Sequence, residues 1–303
     1  MDFLYVLESI RIPVLNELML AITTLGEETA FLVIALMLFW CVDKYLGYYV
    51  LSVGFTGVLA NQTLKLLFRI PRPWVLDKNF TILEQARAGA TGYSFPSGHT
   101  QSAVGTFGGI AYATKRKKIR VLCIVLAVLV AFSRMYIGVH TPMDVIVSVI
   151  IAVVLVFVMK PLVLGNHHNF MPILLGVMLF LAVGYLFFVN LYLFPADIDG
   201  DNYLHGVETA YTLLGSLLGM ITVYFADTKY LKFETKAIWW AQIIKVVLGL
   251  GLVLVVKTFT KTGLNMLLGD FAGRAARYFL VVITAGIVWP LTFRWFAKLG
   301  NRE

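Results

Sequence analysis

The sequence predicts an all-α polytopic membrane protein with about nine transmembrane helices, and three observations carry that expectation. Hydrophobic residues make up 59% of the 303 and charged residues 14%, whereas a soluble globular domain is about a quarter charged. The apolar residues gather into runs close to the ~20 that a helix needs to cross a bilayer. The basic residues fall in short clusters between those runs, as positive-inside topology requires, so the net charge of +8 does not point to a nucleic-acid partner.

Residues 3–24 mix apolar and polar types and suit a helix lying at the interface or leading into the membrane. The apolar run 30–42 is too short to cross alone, so the first span is expected to borrow residues 19–29, leaving Glu27 and Glu28 near the outer part of the membrane. A second span, 47–68, ends where Pro71 and Pro73 forbid continuation. The loop 74–95 that follows is longer than an ordinary connection and is a candidate lid or substrate platform. Pro96-Ser97-Gly98-His99 opens the third span, which ends at Thr114 and carries Gly105 and Gly109 at small-xxx-small spacing. Fourth and fifth spans cover 121–139 and 143–164, and four C-terminal helices follow at 171–193, 207–225, 239–256 and 278–296. Cys41 and Cys123 lie inside apolar runs and read as inert thiols.

The cluster Lys115, Arg116, Lys117, Lys118 and Arg120 marks its short loop as cytoplasmic. Fixing it there also places Lys160, the basic segment 229–236, and Lys298 with Arg302 inside, and the acidic loop bearing Asp197, Asp199 and Asp201 outside. The N-terminus is then outside and the C-terminus inside. His167 and His168 fall in a cytoplasmic loop, while Arg72, His99 and His140 all emerge on the outer side, where they can converge.

The stretch Ser133-Arg134-Met135-Tyr136-Ile137-Gly138-Val139-His140-Thr141-Pro142-Met143-Asp144 sets ionisable residues at the seam of two apolar runs. A charge at membrane depth costs roughly 2.5–3.5 kcal/mol, which makes each a functional candidate. Thr141-Pro142 reads as an N-cap followed by proline at the first helical position, and two readings fit Asp144. In one it answers Thr141 in a capping box. In the other its carboxylate holds one nitrogen of His140 so that the other is a neutral nucleophile.

Elsewhere, Lys65 and Arg72 stand at the outer end of the second span, where snorkelling cations are also common. At Ser97-Gly98-His99 a helix start offers unpaired amides, with no side chain at Gly98 to keep a ligand off the backbone; a plain start capped by Ser97 fits the same residues. Taken together, Lys65, Arg72 and Arg134 supply fixed positive charge and the region of Ser97 and Gly98 adds donors, as the equatorial oxygens of a transferring phosphoryl group require. His140 held by Asp144 serves as nucleophile and His99 as the acid that protonates the leaving oxygen and then activates water. No clustered carboxylates accompany these groups, so no metal and no cofactor is expected.

Lys65-x6-Arg72-Pro73, Pro96-Ser97-Gly98-His99 and Ser133-Arg134-x5-His140-x3-Asp144 resemble the three signature blocks of the type 2 phosphatidic-acid phosphatase superfamily, which is related to vanadium haloperoxidases. Every specified position is filled, in order. The resemblance implies that Lys65, Arg72, Ser97, Gly98 and Arg134 bind phosphate, that His140 is the nucleophile, His99 the acid/base and Asp144 the orienter. It implies a phosphatase-like helical core within 1–165, with the interfacial N-terminal segment, and leaves 166–303 as additional helices of unassigned role. The nine-span layout is similar to the glucose-6-phosphatase branch, and bacterial lipid phosphatases with extra C-terminal helices fit equally well.

The expected function is a metal-independent, integral-membrane phosphatase hydrolysing a phosphomonoester or diphosphate, foremost a lipid phosphate, on the non-cytoplasmic side through a phosphohistidine. The expected setting is a bacterial plasma membrane or the eukaryotic endoplasmic reticulum. Partners are membrane lipids and the phosphorylated substrate, with vanadate or phosphate as active-site ligands. Open alternatives are a phosphotransferase that passes the phosphoryl group to an acceptor alcohol, a sugar-phosphate phosphatase and an anion transporter. Oligomeric state and leaving group are not legible.

Overall fold

A computed structural model describes residues 1–165 and 170–299, so His167, His168 and Arg302 lie outside the described residues. Among the described residues all regular structure is helical. Seven stretches are long and apolar enough to cross a membrane: Lys44–Leu76, Lys117–Tyr136, Pro142–Leu164, Phe170–Leu191, Gly200–Leu231, Trp239–Leu268 and Asp270–Lys298. An eighth is reached if Pro13–Gly26 and Glu28–Val42, bent by 56° at Glu27, count as one broken span. The expected first span is therefore a bent pair and not one straight helix.

The difference from about nine falls on residues 98–113, expected as a full span. This run is helical but interrupted by a π turn at Val104–Gly108. At ~1.5 Å per residue it covers about 24 Å, less than the ~30 Å hydrocarbon core.

The chain divides into two compact units. The first holds Met1–Ile34, Tyr49–Pro161 and Phe194–Gly206, and the second holds Ala35–Tyr48, Leu162–Leu193 and Val207–Glu303. Through the chain run α1 (Asp2–Ser9), α2 (Pro13–Thr23), α3 (Glu28–Met37), α4 (Lys44–Phe68), α5 (Pro73–Leu76), α6 (Gly98–Ala103), α7 (Gly109–Ala113), α8 (Lys117–Tyr136) and α9 (Pro142–Leu164). They are followed by α10 (Phe170–Leu191), α11 (Gly200–Ala226), α12 (Trp239–Leu268), α13 (Asp270–Ile283) and α14 (Phe293–Lys298).

In the first unit, small residues let the helices that carry the site approach closely. Ala103, Phe107 and Ala111 pack with Ala127 and Val130 of α8 and Ala152 of α9. Gly26 lies so near α6 that a Cβ there would stand 2.9 Å from the His99 carbonyl oxygen, which leaves no room for another residue.

The long loop 74–95 is folded down rather than free. Phe80 and Ile82 join Leu4 and Leu7 of α1 in one apolar cluster, and Leu83 N–H donates to the Ile137 carbonyl at 3.1 Å. Arg11 ties the layers together, its Nε donating to Tyr136 O at 3.0 Å and Nη1 to Thr81 O at 2.9 Å. The N-terminal segment read as interfacial thus also buttresses the loop.

In the second unit, Trp40 Nε1 donates to Ala285 O at 2.8 Å, and Lys44 Nζ pairs with Asp227 Oδ2 at 2.7 Å. The α11 and α13 backbones meet at Gly215, where a Cβ would stand 2.0 Å from the Ala275 carbonyl oxygen.

Candidate active site

Three helix ends deliver the site, and each end has a local cause. Helix α4 stops before Pro71 and Pro73, leaving Arg72 extended at ψ 155°. Ser97 caps α6, its Oγ accepting from Thr100 N–H at 3.4 Å and from Thr100 Oγ1 at 3.0 Å. Between α8 and α9 the chain turns through Gly138 at φ +87°, a backbone that other residues adopt only with strain, and so brings His140 back beneath the loop. All eight sequence-predicted residues, Lys65, Arg72, Ser97, Gly98, His99, Arg134, His140 and Asp144, belong to the first compact unit.

Asp144 makes the contacts of both arrangements at once. Its Oδ2 accepts from Thr141 N–H at 2.8 Å while its own N–H donates to Thr141 Oγ1 at 3.3 Å, which is the capping box. The same Oδ2 lies 3.3 Å from His140 Nδ1. One carboxylate therefore starts the helix and aims the ring.

The tautomer of His140 follows from its other neighbour. Arg72 Nη1 stands 2.9 Å from His140 Nε2, and a guanidinium has no acceptor. Nε2 must therefore accept, and the ring hydrogen sits on Nδ1, facing Asp144. The Nε2 lone pair is thus directed at a cation that also donates to Val139 O at 3.0 Å, Gly92 O at 3.1 Å and Thr91 O at 2.7 Å. These carbonyls hold the guanidinium still.

Lys65 Nζ donates to Tyr93 O, and Arg134 Nη1 to Thr23 Oγ1 at 2.7 Å. Arg134 Nε is buried with no hydrogen-bond partner among the described residues. Lys65, Arg72, Ser97, Arg134, His140 and Asp144 are all buried, none more than 7% exposed. Gly98 alone is exposed, His99 beside it is half-buried, and a Cβ on Gly98 would meet nothing within 4 Å. The open side of the site is thus the glycine that the sequence singled out for backbone approach.

The electrostatics are one-sided. His140 is pushed well below the usual imidazole range, first by burial and then by repulsion from Arg72, Arg134, Lys65 and His99. The His99 ring is pushed down to about 3, first by burial and then by repulsion from Arg134, Arg72 and Lys65. The only carboxylate among these groups, Asp144, is engaged by Thr141, His140 and Ser94. Among the described residues no three His, Cys, Asp or Glu side chains are grouped to hold a metal ion.

Sequence reasoning missed several residues. Ser94 Oγ donates to Asp144 Oδ2 at 2.5 Å and lies 3.5 Å from His140 Nδ1. Asn61 Nδ2 donates to Ser97 O at 3.4 Å, and Thr23 holds Arg134 from a distant helix. Ser94 stands two residues before Pro96 and could have been suspected there. Nothing in the sequence marks Thr23 or Asn61.

Residues 45–167 match the PAP2 superfamily, and residues 211–302 match the PAP2 superfamily phosphatase transmembrane extension. The chain is 32% identical over 164 residues to phosphatidylglycerophosphatase B of Bacillus subtilis, covering 50% of this chain and 76% of that protein. It is 32% identical over 104 residues to the undecaprenyl-diphosphatase BcrC of the same organism, covering 34% of this chain and about half, 51%, of that relative's length. Among solved structures, a transmembrane PAP2-type phosphatidylglycerolphosphate phosphatase from Bacillus subtilis aligns at 31% identity and a TM-score of 0.45, over 52% of this chain and 81% of that one.

Proposed function

Because this chain belongs to the PAP2 superfamily, we propose that it is an integral-membrane phosphatase that releases phosphate from a lipid phosphate or diphosphate, on the non-cytoplasmic face, through a phosphohistidine. The observation that carries this reading is the fixed tautomer of His140, with Nδ1 toward Asp144 and Nε2 presented among Arg72, Lys65 and Arg134.

The Nε2 lone pair attacks phosphorus in line with the leaving oxygen, forming the P–N bond as the P–O bond breaks. His99, protonated once the anionic phosphate of the bound substrate offsets the repulsion from Lys65, Arg72 and Arg134, gives its proton to that oxygen and becomes neutral. Lys65, Arg72, Arg134 and the amides beginning at Gly98 stabilise charge on the equatorial oxygens. A water molecule then gives its proton to His99 and its oxygen attacks phosphorus. The P–N bond breaks, inorganic phosphate leaves, and both rings return to their starting states. Asp144 keeps the Nδ1 hydrogen of His140 in place and stabilises the charge that the ring acquires. The cations supply what a metal would otherwise supply, so turnover is metal-independent.

Sidedness rests on the basic cluster Lys115 to Lys118 with Arg120, which lies at the opposite end of α8 from Arg134. The test is phosphate release by the purified protein in liposomes, with phosphatidate, phosphatidylglycerophosphate and a polyprenyl diphosphate as substrates, with and without a chelator. Release persists in chelator and is abolished in His140→Ala. Unaltered release by that variant would overturn the function.

A further inference from the structure

We propose that His205 and Gln62 form a second phosphate subsite beside Lys65, which receives the phosphate of the leaving group and makes a lipid diphosphate the favoured substrate. This rests on the function proposed above, and goes beyond it by using a segment that neither family match covers. The PAP2 superfamily match ends at residue 167 and the extension begins at 211. Yet Phe194–Gly206 belongs to the same compact unit as the catalytic residues.

The segment is fastened to the site at several points. Asp199 N–H donates to Tyr93 Oη at 3.3 Å, and it is the Tyr93 carbonyl that Lys65 Nζ contacts. The backbone of α11 closes on α4 at Gly206, where a Cβ would stand 2.7 Å from Leu66 Cδ1. This puts the half-buried His205 ring over the site's edge. The Cδ2 of His205 and the Nζ of Lys65 lie 3.7 and 3.8 Å from the point that a Gly92 Cβ would occupy. The same Gly92, at φ +72°, gives its carbonyl to Arg72 Nε. His205 and Lys65 therefore both approach Gly92, which has no side chain to fill the space beside them.

Gln62 stands one helical turn before Lys65 on α4, so both face the same way. Its Nε2 lies 3.4 Å from His205 Nε2. An amide nitrogen only donates, which makes this ring nitrogen the acceptor and puts the ring hydrogen on Nδ1. Asp199 Oδ1 accepts from Asn202 N–H at 2.8 Å and caps α11, in whose first turn Asp201 also stands.

The chemistry assigns the ligand. A monoester brings one phosphoryl group, for which Lys65, Arg72 and Arg134 already suffice. A diphosphate brings two, and its leaving group is a lipid monophosphate that gains negative charge as the bridging P–O bond breaks. Donors placed next to Lys65 offset that charge where it develops. One of the relatives matched by residues of this chain is named a diphosphatase.

The test uses full-length protein in detergent, comparing kcat/KM for a polyprenyl diphosphate with that for phosphatidate. His205→Ala and Gln62→Ala each lower the diphosphate-to-monophosphate ratio about tenfold, the loss expected for a hydrogen bond to a charged group. Independently of turnover, inorganic pyrophosphate protects wild type from thermal unfolding at lower concentration than inorganic phosphate does, and this advantage disappears in His205→Ala while protection by phosphate persists. A ratio unchanged in both variants, or pyrophosphate advantage retained, overturns the subsite and makes His205–Gln62 a helix-packing contact only. A wild-type protein inactive on both substrates overturns the phosphatase function, and the subsite with it.

Discussion

Both compact units bury charge among apolar helices, but they balance it in opposite ways. In the second unit Lys44 Nζ meets Asp227 Oδ2 at 2.7 Å and Phe233 O at 3.3 Å, and Asp227 Oδ1 accepts from Phe233 N–H at 3.1 Å. The fully buried Lys245 donates to Thr235 O at 3.0 Å and lies 4.3 Å from the Phe293 ring centre. Lys44 thus has an anion facing it, and Lys245 a carbonyl and a ring. In the first unit Lys65, Arg72 and Arg134 with two imidazoles outnumber the carboxylates that act on them, Asp144 and Glu27, among the described residues. A buried charge that is paired is a structural device, and a surplus of one sign is a site held ready for the opposite sign.

The comparison can be broken at several points. The largest effect is expected from His99→Ala, which removes the acid from the surplus side and should lower kcat by about 10²–10⁴-fold. A variant that keeps wild-type turnover would detach His99 from the chemistry.

Asp227→Ala tests the paired side. Removing one partner of a buried ion pair costs about 3–5 kcal/mol, and the value should fall toward the low end because the Lys44 side chain keeps 21% exposure. Thermal unfolding in detergent reads this as a large drop in Tm. Lys65→Met is the opposite experiment, since it removes one of several mutually repelling cations and should leave Tm no lower. What it should remove is the rise in Tm with vanadate or phosphate, about 2.7 kcal/mol in wild type at a hundredfold excess over Kd. A Tm loss in Lys65→Met as large as in Asp227→Ala would erase the distinction between the units.

A smaller effect is expected at Ser94. Its Oγ holds Asp144 Oδ2 at 2.5 Å, so Ser94→Ala should cost about 1–3 kcal/mol of transition-state stabilisation, read as a fall in kcat with KM nearly unchanged. Equal loss in KM would make Ser94 a binding group instead.

The mildest effect is on pH. The nucleophile must be neutral, and burial with cationic repulsion lowers the His140 pKa. The acid limb of kcat/KM, corrected for substrate ionisation, should therefore lie below the ordinary value of about 6.5. Protonation switches activity off only as pH falls through the lowered pKa. In Lys65→Met the repulsion is weaker and the limb should move upward. A wild-type limb above 6.5 would contradict the surplus of positive charge.

Much of this site stood out in the sequence because ionisable residues are costly within apolar runs: Arg134, His140 and Asp144 interrupt such a stretch, and their spacing says which can meet. Helix ends were legible for the same reason, since Pro71, Pro73 and Pro142 permit few conformations. Span counting was less secure at residues 98–113, where composition is apolar but the helical run is shorter than the bilayer core.

The sequence by itself determined the helical membrane class, the chemistry-bearing residue types and the local pairing of Thr141, His140 and Asp144, because periodicity, hydropathy and short-range spacing act within a few residues. Only the tertiary structure decided that Thr23 holds Arg134, that Ser94 braces Asp144, that loop 74–95 folds onto α1, and that His205 and Lys65 both approach Gly92. These are ordinary residue types whose partners lie tens to more than a hundred positions away, and only the packing of helices in space brings them together.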